Sequence, residues 1–436
     1  MTQAKNLLKG GVNPPDDSCV SRTPGIANAI VPSRAVIPLL QHAGSPARCL
    51  VKPGDAVREG MLIGRAEGSR SVNVHASIPG NVAEVREMTL PDGVACEAVV
   101  IELGGEFETS GKLRPRISWE SLSRRDLLDS ISTAGVVGLS GGAIPTPLKL
   151  AVSPDTTVSL LVANGIESEP SLSANYALLR EKPAEIAEAL RICRVLLSPE
   201  RIVLALGEDA EGLAPGLDQA FNDARLACQI AFLPTRYPQG HEQLVLCSLN
   251  GTGPAAVPAM VLSVATLYAI YEAVALNKPF IDRVLTVTGA SVARPRNLKV
   301  RMGTRIGDLF EECGGLLSDP GKIVVGGPMR GIAVDSLDTP VTKGTSAVVA
   351  FTRADARPRR EWPCVRCGTC IEVCPWGLVP TRLYKLIHMG DVAAADREGL
   401  ARCSECGCCA YACPSHIPLA SVFKSGKRAL NRSTDG

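Results

Sequence analysis

The alternation of apolar and polar positions changes character several times along the chain, and each change marks a different kind of element. Residues 30–110 predict short β-strands. The segment 51–60 reads as strand, turn, strand; an apolar 62–64 follows, and 74–82 forms a second strand pair around Pro79 and Gly80. Residues 111–278 then alternate amphipathic helices with short apolar runs. Helices are expected over 123–134 and 175–197, and strands over 157–163, 201–206 and 229–233. Strands alternating with helices predict a largely parallel sheet. Residues 279–351 return to β character, with strands over 283–289 and 322–328 around a short helix at 306–313, a β-grasp-like module. An arginine-bearing linker, 352–361, leads to a cysteine-rich module at 362–423. An arm at 1–29 and a basic, polar tail at 424–436 flank the whole, and the tail is expected to fray.

One stretch tests whether the chain enters a membrane. Residues 244–271 carry no charge, but Asn250, Gly251 and Pro258 interrupt them. About a dozen residues remain before Glu272, short of the ~20 that cross a bilayer. A buried helix over 259–276 is expected instead, and no transmembrane segment. The opening MTQAKNLLKGG has no apolar core and predicts no signal peptide. A net charge of +2 across 436 residues gives no field that would favour nucleic acid.

Sixteen cysteines change the picture most. Eight form Cys-x₂-Cys-x₂-Cys-x₃-Cys-Pro twice: Cys364, Cys367, Cys370, Cys374 with Pro375, and Cys403, Cys406, Cys409, Cys413 with Pro414. This is the bacterial-ferredoxin run, whose fourth cysteine ligates the other cluster in two-cluster modules. It predicts two [4Fe–4S] clusters. One is held by Cys364, Cys367, Cys370 and Cys413, the other by Cys403, Cys406, Cys409 and Cys374. Zinc sites use paired ligands rather than a repeated run of four. Cys19, Cys49, Cys96, Cys193, Cys228, Cys247 and Cys313 are scattered and expected to pack as small hydrophobes. Cys408 is expected to face away from the cluster. Clusters and free thiols place the chain in a reducing compartment, the cytoplasm.

Two clusters need a donor. The loop 138–147, with Gly138, Gly141 and Gly142 followed by Lys149, can bring backbone N–H groups close to an anion. Asn164, Glu167 and Glu169 follow an apolar strand, where ligands of open α/β sheets sit. For the glutamates, a capped helix start is the plainer reading. Gly240 and Glu242 offer a third loop, and Thr266 lies in the next apolar segment.

The pattern PGDxVxEGxxIG…VHAxxxGxV at 53–82 resembles the lipoyl-type barrel. The intervening hairpin, 66–73, has no lysine to carry a cofactor, so the barrel is expected to be scaffold; His75 is its one candidate for chemistry, more simply a structural histidine. Gly10-Gly11-Val12-Asn13-Pro14-Pro15, the barrel, Ala134-Gly135-Val136-Val137-Gly138, Pro145-Thr146 with Lys149, Asn164…Glu167-Ser168-Glu169-Pro170, Tyr237-Pro238-x-Gly240-x-Glu242 and the double ferredoxin run follow in order. In that order the chain resembles the C subunit of Rnf electron transport complexes. Its central domain is similar to the FMN-binding, NADH-oxidising subunit of respiratory complex I.

The resemblance implies a multidomain α/β chain: lipoyl-like β sandwich barrel, α/β flavin-binding domain, β-grasp-like (SLBB) module and two-cluster ferredoxin module. It implies FMN and NAD(H) bound by Gly138, Gly141, Gly142, Lys149, Asn164, Glu167, Glu169, Gly240, Glu242 and Thr266. It also implies integral membrane and ferredoxin-like partner subunits, and a peripheral place on the cytoplasmic face of the plasma membrane. The family loop usually reads GLGGAGFPTGxKL, and Ser140, Ala143, Ile144 and Pro147 depart from it. Ile144 cannot stack as the family aromatic does, and the Ala143 methyl is expected to intrude toward the flavin. Those departures leave a second class open: an iron–sulfur adaptor for a soluble reductase, such as an amino-acid or cobalamin reductase.

Overall fold

The computed structural model describes residues 2–3, 9–107, 114–153, 156–251 and 258–434. Most of the opening MTQAKNLLKGG segment and part of the 250–258 interruption lie outside the described residues.

The central sheet is parallel throughout. Its strands run in the order Thr2–Gln3, Gln229–Leu233, Arg201–Gly207, Leu160–Asn164 and Ala259–Ser263. All five residues of Leu160–Asn164 are buried, as helices on both faces of a parallel sheet demand. The helix Arg124–Ala134 starts at a reciprocal cap between Ser123 and Asp126 and stops at Gly135, whose φ is +73°.

Two expectations change here. The single helix over 175–197 is two, Ala174–Glu181 and Pro183–Leu197. Pro183 has no N–H to continue the first helix, but its fixed φ suits the start of a second. The buried helix over 259–276 begins as the strand Ala259–Ser263, and only Val264–Ala275 is helical. A short apolar run does not distinguish strand from helix; pairing with Leu160–Asn164 decides it.

The barrel packs two small sheets around Ile37, Ile63, Ile78, Val99 and Ile101. Not all its strands are short: Gly80–Thr89 and Ala95–Leu103 form a long hairpin. The 66–73 hairpin is anchored, since Asn73 donates to the Thr133 carbonyl and accepts from the Lys343 ammonium. His75 is buried with Nδ1 unpartnered, and burial lowers its pKa to about 3.

The next module is a mixed six-stranded sheet holding the helix Ile306–Glu312. Its edge strand, Ala27–Asn28, comes from the N-terminal arm. The same arm passes between two other domains. Val12 and Tyr237 exchange backbone hydrogen bonds, while Gly11 N–H donates to the Val373 carbonyl at 2.9 Å. Gly10 has φ +76°, and a Cβ there would fall 2.8 Å from the Cys374 carbonyl carbon, so only glycine allows that approach.

The expected frayed tail is corrected. Leu419–Thr434 is helical, with Leu419 and Phe423 in the core of the cysteine module. Leu419, Val422 and Phe423 recur at helical spacing and turn inward, while Lys427 reaches the Cys403 carbonyl and Arg428 stands exposed. Among the described residues no helix is long and apolar enough to cross a membrane.

Candidate electron-transfer site

The two cysteine runs build the same backbone twice. Arg366 and Glu405 have φ +56° and +57°, Gly368 and Gly407 have +82° and +81°, and each run enters a one-turn helix, Thr369–Glu372 or Cys408–Tyr411. The thiols converge in crossed sets. Cys364, Cys367, Cys370 and Cys413 line one cavity, and Cys374, Cys403, Cys406 and Cys409 line the other. Among the described residues, no three potential ligands lie close enough to hold a single metal ion. Four thiols of the repeated run around each cavity fit a cubane, whereas zinc sites take their ligands in pairs.

The two sets differ in surroundings. Cys364 and Cys367 are exposed, whereas Cys406 and Cys409 are buried. Cys408 does not turn away: it is fully buried, lines the same cavity as Cys406 and Cys409, and packs with Val12 and Tyr237. The scattered cysteines divide, with Cys96, Cys193 and Cys313 buried and Cys19 exposed.

At the carboxyl ends of the central strands, three loops are tied together. Asn164 donates from Nδ2 to the Gly240 carbonyl at 2.8 Å and accepts from Ile166 N–H. Gly240 lies so close that a Cβ would sit 2.5 Å from the Glu167 carbonyl oxygen. Leu139 N–H donates to Thr266 Oγ1 at 2.9 Å, fastening the Gly-rich loop to the start of the helix Val264–Ala275. Ser263 Oγ caps that helix by accepting from Thr266 N–H. Gly141 has φ +104°, which favours glycine. Lys149 pairs with Glu242 at 2.6 Å and donates to the Val261 carbonyl. The structure thus gathers Gly138, Gly141, Gly142, Lys149, Asn164, Gly240, Glu242 and Thr266 at one end of the sheet.

The two glutamates at this end of the sheet have backbone partners of their own. Glu167 accepts from Tyr176 N–H at 3.0 Å, capping the helix Ala174–Glu181, so the plainer expectation describes it. Burial pushes its pKa up to about 7. Glu169 accepts from Met329 N–H at 2.8 Å, and burial raises it to about 7 as well. Its Oε1 is buried without a partner.

The sequence singled out the loop that carries Tyr237 and His241, but not the contacts that these residues and Trp376 make at this junction. Tyr237 Oη donates to the Cys406 carbonyl at 2.7 Å. His241 meets Trp376 edge-on at 5.1 Å, and Trp376 Nε1 donates to Ser404 Oγ at 2.7 Å. These contacts set the second thiol set directly against the Gly240 loop. A tyrosine or tryptophan in a loop looks alike whether it is exposed or buried, so spacing could not reveal them.

Comparison with known proteins agrees with this architecture. Residues 6–106 match the RnfC barrel sandwich hybrid domain, 131–272 the Nuo51 FMN-binding domain, 284–333 the SLBB domain and 362–417 the 4Fe-4S dicluster domain. The C subunit of the ion-translocating oxidoreductase complex of Rhodobacter capsulatus is 32% identical over 432 residues, covering 97% of this chain and 83% of that one. The chain belongs to the RnfC family. A second member, the C subunit of the proton-translocating ferredoxin:NAD(+) oxidoreductase complex of Clostridium ljungdahlii, is 35% identical over 86% of this chain and 83% of its own. The Na(+)-translocating counterpart of Acetobacterium woodii is 32% identical over 90% of each. A crystal structure of an NAD+-reducing [NiFe]-hydrogenase shares the fold, with a TM-score of 0.52 at 19% identity, over 72% of this chain and 63% of that chain.

The chain therefore carries an FMN-binding domain and a two-cluster ferredoxin domain within the family's architecture. Its loop accommodates the departures. Ala143 keeps a left-handed backbone at φ +43°, and its side chain packs against the main core and near Gly344. Ile144 is 53% exposed. Gly141 and Gly142 leave the loop backbone open, and the donor set at the strand ends suits a phosphate-bearing flavin.

Proposed function

We propose that the chain passes electrons between NAD(H) and two [4Fe–4S] clusters as the peripheral subunit of an ion-translocating ferredoxin:NAD oxidoreductase complex. The observation that carries this reading is the contact of the second thiol set with the Gly240 loop through Tyr237, His241 and Trp376. The two crossed thiol sets would hold the clusters. Gly138, Gly141, Gly142, Lys149, Asn164, Gly240, Glu242 and Thr266 would hold FMN, which when bound converts a two-electron hydride donor to one-electron carriers. Lys149 sets a positive charge at the strand ends, and Asn164 and Thr266 keep the three loops in register. Glu167 and Glu169 support the site by fixing the backbone around it.

Electrons then reach the inner set, Cys374, Cys403, Cys406 and Cys409, before the outer set, Cys364, Cys367, Cys370 and Cys413, two of whose thiols are exposed. The outer set faces the redox partner. Val365, Trp362 and Ile371 are exposed around it, and Arg357, Arg359, Arg360 and Arg366 form no ion pair among the described residues. A ferredoxin-like subunit fits that surface, with integral membrane subunits supplying the translocation and the chain resting on the cytoplasmic face.

The test is anaerobic purification with cluster reconstitution, then counts of iron and flavin and an NADH titration. About eight irons and one FMN per chain, with NADH bleaching both chromophores, is the expected result. Eight irons without flavin and without response to NADH would overturn it and leave the soluble-reductase adaptor.

A further inference from the structure

The turn that follows the strand Lys322–Val325 belongs to the SLBB module, yet it reaches into the site of its neighbour. Glu169 of the flavin domain accepts from Met329 N–H. Gly327 lies against that carboxylate side chain, so that a Cβ there would fall 2.1 Å from Glu169 Cγ. On its other side the turn meets the second cysteine run, where a Cβ on Gly407 would fall 3.1 Å from the Met329 carbonyl oxygen. Two glycines and one carboxylate thus lock the turn between two domains.

The next residue is Arg330. Its side chain is exposed and makes no ion pair among the described residues. Its guanidinium faces the Gly-rich loop: Nη2 lies 3.9 Å from where a Cβ on Gly141 would stand. Glu169, His241 and Tyr237 also lie within its electrostatic reach. The other cation of the site, Lys149, is already matched by Glu242 at 2.6 Å. Arg330 is therefore a cation without an ion pair among the described residues, near the Glu169 carboxylate and over a loop whose glycines admit an anion.

We infer that Arg330 is a binding residue for a phosphate group of the nucleotide that lies on the Gly-rich loop, delivered across the domain boundary by the Glu169-anchored turn. A guanidinium suits this role, since its planar donors match phosphate oxygens in pairs. The inference rests on the functional reading above. The phosphate belongs either to the pyrophosphate of the pyridine dinucleotide or to FMN. The dinucleotide is favoured, because Arg330 stands beside Gly141 and His241 rather than at the capped helix start by Ser263 and Thr266.

The experiment compares full-length, cluster-loaded wild type with Arg330→Ala and Arg330→Lys. It measures flavin content, affinity for FMN against riboflavin, and NADH affinity by flavin fluorescence. Arg330→Ala should keep both clusters and weaken a phosphate-bearing ligand about tenfold, with Arg330→Lys recovering part of the loss. Weakened NADH binding with unchanged flavin content identifies the dinucleotide. A lost preference for FMN over riboflavin identifies the flavin phosphate. Affinities for FMN and NADH both within twofold of wild type would overturn the inference alone. A wild type that takes up no flavin would overturn it together with the functional reading.

Discussion

The two cysteine runs share a spacing and a backbone, but they occupy opposite environments. In the first run Val365 is 67% exposed and Arg366 points to solvent. In the second, the equivalent Ser404 and Glu405 are bound, by Trp376 Nε1 and by the Lys427 ammonium at 3.4 Å. The first helical turn stands at the surface, while Gly407 at the start of the second abuts Met329. One motif thus makes two different cluster sites. Local spacing builds the thiol cradle, and the neighbouring domains decide which cradle is an inner station and which an outer one.

The sharpest way to break that comparison is to remove one thiol from each set. Cys406→Ser and Cys364→Ser should each lower iron from eight to about four per chain. In rapid mixing with NADH, the cluster left in Cys364→Ser should still bleach, whereas the one left in Cys406→Ser should stay oxidised. The reverse result would invert the order of the two sites.

A large effect on stability is expected at a buried carboxyl on the inner side. Glu167 has a folded pKa of about 7 against an ordinary 4.5, so the folded state binds the extra proton between those values. Its contribution is therefore fully present below about pH 4.5 and lost as pH rises through 7, by up to about 3 kcal/mol. Glu167→Gln keeps an acceptor for Tyr176 N–H and should reduce the slope over this window, the remainder coming from Glu169, whose pKa is raised to about 7 as well. Urea unfolding at several pH values reads it, and an unchanged slope would exclude Glu167 as its source.

Tyr237→Phe leaves the Cys406 carbonyl without its buried donor and should cost about 1–3 kcal/mol. Tyr384→Phe is the matched control on the outer side, where the contact to Glu361 is exposed and stretched to 3.5 Å. Thermal unfolding should separate the two; equal losses would erase the contrast. Ala143→Gly relieves a left-handed alanine, φ +43°, and should stabilise by about 0.5–1 kcal/mol in the same measurement. A loss instead would mean that the methyl's packing outweighs the strain. The smallest effect belongs to Arg366→Glu, which changes the charge of the outer surface. Its stability should stay within about 0.5 kcal/mol, while salt-dependent electron transfer to an acidic ferredoxin should slow. An unchanged rate would remove Arg366 from the partner surface.

Much of this architecture was legible because it follows from local rules. The strand Gln229–Leu233, the helix Arg124–Ala134 with its Ser123 cap, and the crossed thiol sets follow from period, capping chemistry and motif spacing. The errors arose where long-range contacts override propensity. The run 259–276 became half strand because a parallel neighbour was available to pair with it. The basic tail became a helix because Leu419 and Phe423 found the ferredoxin core. Asn164, Gly240 and Thr266 were recognisable as candidates, but their hydrogen bonds link three separate loops. Spacing could not show that Glu169 accepts from Met329 N–H, 160 residues away in sequence.

By itself, the sequence determined the order of domains and the spacing of the eight thiols, since both depend on neighbours a few residues apart. Only the tertiary structure decided that the second thiol set meets the flavin domain, that Glu169 anchors an SLBB turn, and that Arg330 faces the Gly-rich loop. Those relations join residues distant in the chain, and their burial and pairing exist only once the four domains have packed together.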